Sequence, residues 1–162
     1  MKKILTVIIT LSILTGWVGS QEIENLGTVV MEKVVTKKIL IAAGASEYKD
    51  RLVARIVNAY PSPKYEVKIV DLKALREVNT DDLDAIVLMN TCKMWKINGD
   101  VKKFLKSLFP EQEKKVILIT TAGDEGWKAK DVNVDAITAA SVFENLDETE
   151  KVIIDKINQN IQ

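Results

Sequence analysis

The sequence predicts an α/β protein built on a five-stranded parallel sheet, and two observations support this. Short continuous apolar runs recur along the chain, and the segments between them change to a helical period. Apolar runs of this length, rich in β-branched residues, suit strands that are buried on both faces of a parallel sheet. Their alternation with helical segments is typical of an α/β fold. The five runs are Ile39–Ala43, Val67–Val70, Ala85–Met89, Val116–Thr120 and a weaker fifth, Val134–Ala140.

In each of three segments, the apolar residues are spaced so that they would form one face of a helix. Their apolar side chains recur at intervals of three and four residues, so each segment can turn one stripe toward the sheet. We therefore expect three main helices, one after the first strand, one after the third and one at the end of the chain. Their apolar faces run from Tyr48 to Val57, from Val101 to Phe109 and from Ile153 to Ile161.

Helix boundaries follow from individual residues and from segment lengths. Pro110 is predicted to stop the second helix, and the last helix is predicted to open with Asp147 and Glu150 in capping-box spacing. Residues 71–84 leave room only for a short helix between the second and third strands. Residues 123–133 are close to the minimum for a parallel crossover, so we expect the usual fourth helix to be shortened or missing.

Composition limits the possible functions. A chain of 162 residues, 47% hydrophobic and 28% charged, fits one ordinary globular domain. The formal net charge is zero, so the chain lacks the excess positive charge that attracts nucleic acid, and no nucleic-acid partner is expected. The sequence contains no histidine, which excludes imidazole as a general base or metal ligand. No metal site is predicted.

The beginning of the chain has the pattern of a secretory signal peptide. Residues 1–20 start with Lys2 and Lys3, continue with the apolar run Ile4–Leu14 and end in small residues, so cleavage is predicted before Gln21. An uncleaved membrane anchor is the alternative, although the run is short for a bilayer-spanning helix. We therefore expect an exported protein, periplasmic or extracellular, without a stable membrane span after cleavage.

The mature chain divides into two parts. Residues 21–36 fit neither period well and are interpreted as a spacer or an added edge element, and residues 37–162 form the predicted domain. Cys92 is the single cysteine, so an intramolecular disulfide is impossible even in an oxidising compartment.

Three loops are the expected ligand-binding region. Open α/β sheets bind ligands beyond the carboxyl ends of their strands, where the strand order reverses. For a sheet in the order 2-1-3-4-5, the relevant loops follow the first and third strands, with the loop after the fourth strand alongside. These loops are Gly44–Asp50, Asn90–Asn98 and Thr121–Trp127.

The chain resembles the flavodoxin and flavin-reductase family at two of these loops. Residues 84–105 are similar to the family's third strand, flavin-edge loop and following helix: Thr91 matches the hydroxyl residue, Trp95 the second aromatic and Gly99 the glycine. Residues 115–123 resemble the fourth strand with its Thr-x-Gly ending. The sequence departs from the family pattern at Asn90 in place of glycine, Cys92 in place of proline and Met94 in place of tyrosine.

This resemblance spans about residues 37–161 and implies a flavodoxin-like three-layer sandwich. It also implies binding of flavin mononucleotide (FMN) for electron transfer or for flavin-dependent reduction. The partner would then be a redox partner protein or another small planar ligand. The residues implied at the cofactor are Gly44, Ala45, Ser46, Asn90, Thr91, Cys92, Met94, Trp95, Asn98, Thr121, Gly123 and Trp127.

The first loop departs most from the family. There the family has Ser/Thr-x-Thr-Gly-Asn-Thr, whose hydroxyls and backbone N–H groups hold the FMN phosphate at a helix N-terminus. Residues 45–50 place Tyr48 at the glycine position when they are aligned without gaps. Glu47 and Asp50 would set carboxylates beside the phosphate, a conflict of like charges that Lys49 would partly relieve.

A flavin-free alternative therefore stands beside the flavoprotein hypothesis. In it, the domain is an extracytoplasmic binding or structural module, and the loop residues have ordinary packing roles. Trp95 and Trp127 either sandwich a planar ligand or pack above the sheet. Cys92 is either a reactive thiol or a small buried residue.

Overall fold

The computed structural model describes residues 36–122, 127, 129, 132–139 and 142–162. These residues belong to one compact unit, Val34–Gln162. The predicted signal peptide and residues 21–35 of the predicted spacer lie outside the described residues. Within the described part of the chain, every helix is too short or too polar to cross a bilayer.

The sheet has five parallel strands in the order β2-β1-β3-β4-β5, which confirms the predicted order. Strands β1, β3 and β4 form its middle and carry nearly continuous burial, because helices cover them on both faces. The strands are β1 (Lys37–Ala43), β2 (Tyr65–Asp71), β3 (Ala85–Thr91), β4 (Val116–Thr121) and β5 (Asp135–Ala139).

Helices cover the two faces of this sheet and make the three-layer sandwich. The first and last helices share a core on one face, and the short 3-10 helix after β2 shares a core on the other face with the helix after β3. The helices are α1 (Glu47–Ala59), a 3-10 helix (Leu72–Glu77), α2 (Gly99–Ser107), α3 (Pro110–Glu113), a second 3-10 helix (Phe143–Asn145) and α4 (Leu146–Ile161).

The two cores follow from strand alternation. In β1, Ile39 and Ile41 face α1 and α4, whereas Leu40 and Ala42 face α2. All four side chains are fully buried. Burying each of the two isoleucines and the leucine contributes roughly 1.5–3 kcal/mol. The apolar run that predicted the strand therefore supplies both cores at once.

The prediction for Pro110 was wrong in detail. Helix α2 ends at Ser107, before the proline, and Pro110 is the first residue of α3. Proline suits that position because it lacks the N–H that a first-turn residue cannot pair within the helix. Phe109, expected on the buried face of α2, is extended and 68% exposed. A residue before proline is kept out of the helical region by the proline ring.

The predicted capping box at the start of α4 is also wrong. The helix begins at Leu146, one residue earlier, and the carboxylates of Asp147 and Glu150 both accept from the Arg55 guanidinium of α1. The Arg55–Glu150 contact is 2.9 Å. The two carboxylates therefore join the helices across the surface instead of satisfying the backbone of their own helix.

Both short connections agree with the sequence. A single 3-10 helix, Leu72–Glu77, links β2 to β3. Between β4 and β5, the described residues 122, 127, 129 and 132–134 contain no helix. The connection on this side is therefore short, as the segment length predicted.

Candidate functional site at the carboxyl edge of the sheet

The carboxyl ends of β1, β3 and β4 meet at one edge. The Gly44 N–H donates to the Met89 carbonyl across 3.2 Å, and the Cys92 N–H donates to the Thr121 carbonyl across 2.9 Å. The loops that follow these strands consequently leave the sheet side by side. This is the point where the strand order reverses, with β1 between β2 and β3.

The first loop is very short. Only Gly44, Ala45 and Ser46 separate β1 from α1. Ser46 caps the helix, because its hydroxyl accepts from the Lys49 N–H across 3.2 Å. A Cβ on Gly44 would lie 3.3 Å from Leu72 Cδ1 and 3.9 Å from Lys49 Nζ. Glycine therefore permits the close approach of other groups to this turn.

The first turn of α1 sends its side chains in different directions. Tyr48 is buried, and its hydroxyl donates to Thr149 on α4 across 3.0 Å. Glu47 is exposed and pairs with Arg51 across 2.8 Å. Tyr48 therefore packs in the core and Glu47 pairs on the surface, because the helix begins at Glu47 and its periodicity turns one residue inward and the other outward.

Lys49 is the residue that points into the edge. It is 1% exposed, and its ammonium donates to the hydroxyl of Thr91 at the end of β3. Burial lowers the Lys49 pKa, the nearby Lys93 charge lowers it further, and Asp50 opposes both. Among the described residues, no carboxylate oxygen lies within 4.0 Å of this ammonium. The first turn thus delivers a buried cation to the junction of β1 and β3.

Two asparagines that were predicted to contact the ligand form hydrogen bonds within the protein. Asn90 is 0% exposed, and its side-chain oxygen accepts from the Asn98 N–H across 2.9 Å. Asn98 in turn caps α2, since its side-chain oxygen accepts from the Asp100 N–H across 2.7 Å. Thr121, which is also buried, donates its hydroxyl to the Asn90 carbonyl. These three predicted residues hold the loop after β3 in shape.

That loop ends in a tight two-residue turn. Lys93 and Lys96 exchange backbone hydrogen bonds of 3.1 and 3.0 Å around it. Between them, Met94 and Trp95 have φ angles of 51° and 62°. Turns of this type favour glycine or asparagine, and each ordinary residue held there costs roughly 1–3 kcal/mol. Met94 is 89% exposed and Trp95 70% exposed, so the turn holds two large apolar side chains in solvent.

The remaining residues that were predicted at the cofactor lie in β3 and in the loops after β3 and β4. Thr91 at the end of β3 and Cys92 directly after it are half-buried, and Trp127 is half-buried with its carbonyl accepting from Thr138. Gly123 lies outside the described residues. Among the described residues, the aromatic ring contacts do not include Trp95 or Trp127.

A groove of about 640 Å³ lies beside this edge, on the side of α1 that faces β2. It shares only Gly44 and Ala45 with the predicted cofactor residues, and Ala43 at the end of β1 lies next to them in the lining. The rest of its lining is provided by α1 and β2: Asp50, Val53, Ala54, Val57, Asn58, Ile69, Val70 and Asp71.

The donors at the junction suit an anionic group such as a phosphate. The Lys49 ammonium and the Thr91 hydroxyl lie together, the N-terminus of α1 is adjacent, and the Glu47 carboxylate is turned away. A helix N-terminus and an ammonium both favour negative charge. The predicted cofactor residues do not include Lys49, which the sequence analysis placed near a phosphate only as partial relief of the Glu47 and Asp50 charges. Its position three residues after the capping Ser46 is the signal that marks it.

Comparison with known proteins finds similar folds among solved structures but no similar sequence among protein families or curated proteins. No protein-family model matches the chain, and no curated protein matches it. Among solved structures, it is similar to a flavodoxin from the domain Archaea, with 16% identity over 78% of this chain and 99% of that one and a TM-score of 0.51.

Two further structures are similar at the same level. One is an NADH:FMN oxidoreductase in its apo form, with 13% identity over 78% of this chain and 90% of that one and a TM-score of 0.52. The other is a WrbA-like flavodoxin from Agrobacterium tumefaciens, with 13% identity over 77% of this chain and 96% of that one and a TM-score of 0.52.

The chain therefore has the flavodoxin-like fold, as the resemblance of its third and fourth strands implied.

Proposed function

We propose that this chain is a flavoprotein that binds FMN at the carboxyl edge of β1, β3 and β4, and that it serves in electron transfer or flavin-dependent reduction. The observation that carries the proposal is the turn of Met94 and Trp95, two exposed apolar side chains held at positive φ beside the point where the strand order reverses. Strain of this kind is concentrated at ligand sites. Neighbours in fold include a flavodoxin and an NADH:FMN oxidoreductase.

Each part of the edge has a role in this proposal. Trp95 and Met94 would contact the isoalloxazine ring, because aromatic and thioether side chains pack well on flat π-systems. The backbone of Gly44, Ala45 and Ser46 would border the phosphate. FMN would supply the redox chemistry, and the protein would orient it and control the water around it.

A flavin-free binding module is the second candidate, and the first loop favours it. The loop between β1 and α1 has three residues, the Ser46 hydroxyl already caps α1, and the Lys49 ammonium already bonds Thr91. The groups nearest a phosphate are thus engaged with each other. In this case the partner is a small planar ligand or another protein that contacts Trp95.

Export belongs to the proposal as well. The basic, apolar and small-residue pattern of residues 1–20 supports a cleaved signal and a periplasmic or extracellular protein. Mass spectrometry of the exported protein should give a mature N-terminus at Gln21. A chain that keeps residues 1–20 would instead support the membrane-anchor alternative.

An absorbance titration tests the flavin proposal. Purified protein of residues 21–162 is mixed with FMN, excess FMN is removed, and the visible flavin bands are recorded. We expect retained flavin in the wild type, and Trp95→Ala should weaken binding about tenfold, since base-type stacking on an aromatic side chain contributes roughly 1–3 kcal/mol.

Phe109→Ala is the matched control for Trp95→Ala. Phe109 is also an exposed aromatic residue, at 68%, but it follows α2 and lies away from the carboxyl edge. FMN retention should be unchanged in this variant. A wild-type protein that releases all added FMN would refute the flavoprotein proposal and leave the binding module.

A further inference from the structure

We propose that Lys49 is the anion-recognising residue of this edge, so that the site selects ligands that carry a phosphate over neutral ligands of the same shape. The inference rests on the proposed function only in taking the β1–β3 junction as the place where the ligand lies. It concerns a residue that departs from the family pattern, because the resemblance implies hydroxyl and backbone donors in this loop.

The geometry of α1 brings the ammonium to the junction. Lys49 is the third residue of the helix, and its backbone N–H is held by the capping hydroxyl of Ser46 across 3.2 Å. Its side chain leaves from there toward β3 and donates to the hydroxyl of Thr91. The cation therefore lies between the ends of the two central strands and not on the solvent side of the helix.

Among the described residues, none provides a close negative charge to the Lys49 ammonium. An ammonium has three N–H donors, and the described residues provide one side-chain acceptor, the neutral hydroxyl of Thr91. Among the described residues, the charges that act on Lys49 are Lys93, which repels it, and Asp50, which attracts it from an exposed position. Burying a charge without a close counterion is costly, and proteins retain such a charge mostly at functional sites.

An anionic ligand would supply what is missing. A phosphate oxygen at the ammonium adds a charge-assisted hydrogen bond, which is stronger than a hydrogen bond between neutral groups. Because Lys49 is already withdrawn from bulk water, little of this gain is lost to desolvation of the lysine. The cation would take the place of the further hydroxyl donors of the family's loop, since the one hydroxyl of the three-residue loop, that of Ser46, caps α1. Lys49 is 1% exposed, so the ligand must displace the groups that cover it, and we expect binding to rearrange the edge.

Nuclear magnetic resonance of the wild-type protein tests the inference without any flavin. The 13Cε signal of Lys49, assigned by its loss in Lys49→Met, is followed against pH with and without inorganic phosphate. We expect phosphate to raise the Lys49 pKa, since a bound anion favours the charged form. An unchanged Lys49 titration at saturating phosphate would overturn the inference, and the titration itself is recorded on the wild-type protein.

A flavin comparison gives the selectivity. FMN and riboflavin differ by the phosphate, so the ratio of their dissociation constants measures anion recognition. We expect FMN to bind the wild type about tenfold more tightly or better, and Lys49→Met to reduce the ratio to about twofold or less. Lys93→Met is the matched control, because it removes a nearby cation that is exposed and has no contact with Thr91. The Lys93→Met variant should keep most of the preference for FMN over riboflavin.

The outcomes separate the two proposals. Binding of both flavins with an unchanged ratio in Lys49→Met would overturn the role of Lys49 and keep the flavin site. An equal loss in Lys93→Met would also overturn it, in favour of general surface charge. Failure of both flavins, with phosphate still raising the Lys49 pKa, would remove the flavin proposal and support Lys49 as an anion site in a flavin-free module.

Discussion

The hydroxyl of Tyr48 donates to the hydroxyl of Thr149 across 3.0 Å, which joins the first turn of α1 to α4 inside the core. Both residues are buried. The contact fixes the rotation of α1 at its first turn, so that the next residue, Lys49, faces the carboxyl edge of the sheet. A buried hydrogen bond between two helices thus determines which side chain reaches the candidate site.

Removing this hydrogen bond should destabilise the fold. We expect Tyr48→Phe to lower the free energy of unfolding by about 1 kcal/mol, since the Thr149 hydroxyl loses its partner. Urea denaturation measures the change. In a double-mutant cycle with Thr149→Val, the second substitution should add little to Tyr48→Phe. Fully additive losses would mean that the two hydroxyls do not interact.

The buried Lys49 should cost stability at neutral pH. We expect Lys49→Met to raise the free energy of unfolding by on the order of 1 kcal/mol, because an apolar side chain replaces a buried charge that has no close counterion among the described residues. The folded-state pKa is lowered from 10.5, so the unfolded chain binds the proton more tightly.

The sign of the pH dependence follows from this shift. Compared with Lys49→Met, the wild type should be least stable below its lowered folded-state pKa and should recover as pH rises through that value toward 10.5. Urea denaturation of both proteins from pH 7 to 11 measures the difference between their free energies of unfolding. The contributions of the other titrating groups are the same in both proteins and cancel in this difference. A difference that stays constant over this range would contradict the lowered pKa.

Tyr60 should make stability fall at high pH. Burial first, and then the neighbouring Tyr65 and Asp155, raise its pKa from 10.0 to about 12. Its hydroxyl donates to the Asn158 side chain across 3.0 Å and so favours the protonated form. A raised pKa contributes stability that is complete below pH 10 and is lost as pH rises through about 12. The loss is at most about 3 kcal/mol at 1.36 kcal/mol for each pH unit.

Tyr60→Phe is the control for this prediction. Phenylalanine keeps the edge-to-face ring contact with Tyr65, with centroids 5.0 Å apart, and has no titrating hydroxyl. The variant should be less stable than the wild type below pH 10, and the two stabilities should converge as pH rises toward 12. Parallel pH profiles of the two proteins would exclude a raised pKa for Tyr60.

Backbone strain at Met94 should be measurable. Met94 is 89% exposed with a φ of 51°, so little packing is lost when its side chain is removed. We expect Met94→Gly to be about 1 kcal/mol more stable than Met94→Ala, because glycine adopts positive φ without steric conflict. Thermal denaturation of the two variants gives the difference. If Met94→Gly weakens FMN retention while it stabilises the fold, the strain serves ligand contact.

The sheet could be predicted because its signal is local. A strand that is buried on both faces needs a continuous apolar run, and β1, β3 and β4 each contain such a run with polar residues only at one end. Segment length then predicted the short connections after β2 and β4. Helix ends were less predictable, since Arg55 on α1 engages Asp147 and Glu150 from a distant part of the sequence.

The sequence by itself determined the fold class, the strand order and the edge at which a ligand site should lie. Only the tertiary structure decided which side chains reach that edge. Asn90 and Asn98 are used to hold a loop, Tyr48 is in the core, and Lys49 is beside Thr91. The physical reason is that a helix turns each successive residue by about 100°, so the position at which α1 begins, and the contact that fixes its rotation, determine which residue faces the site.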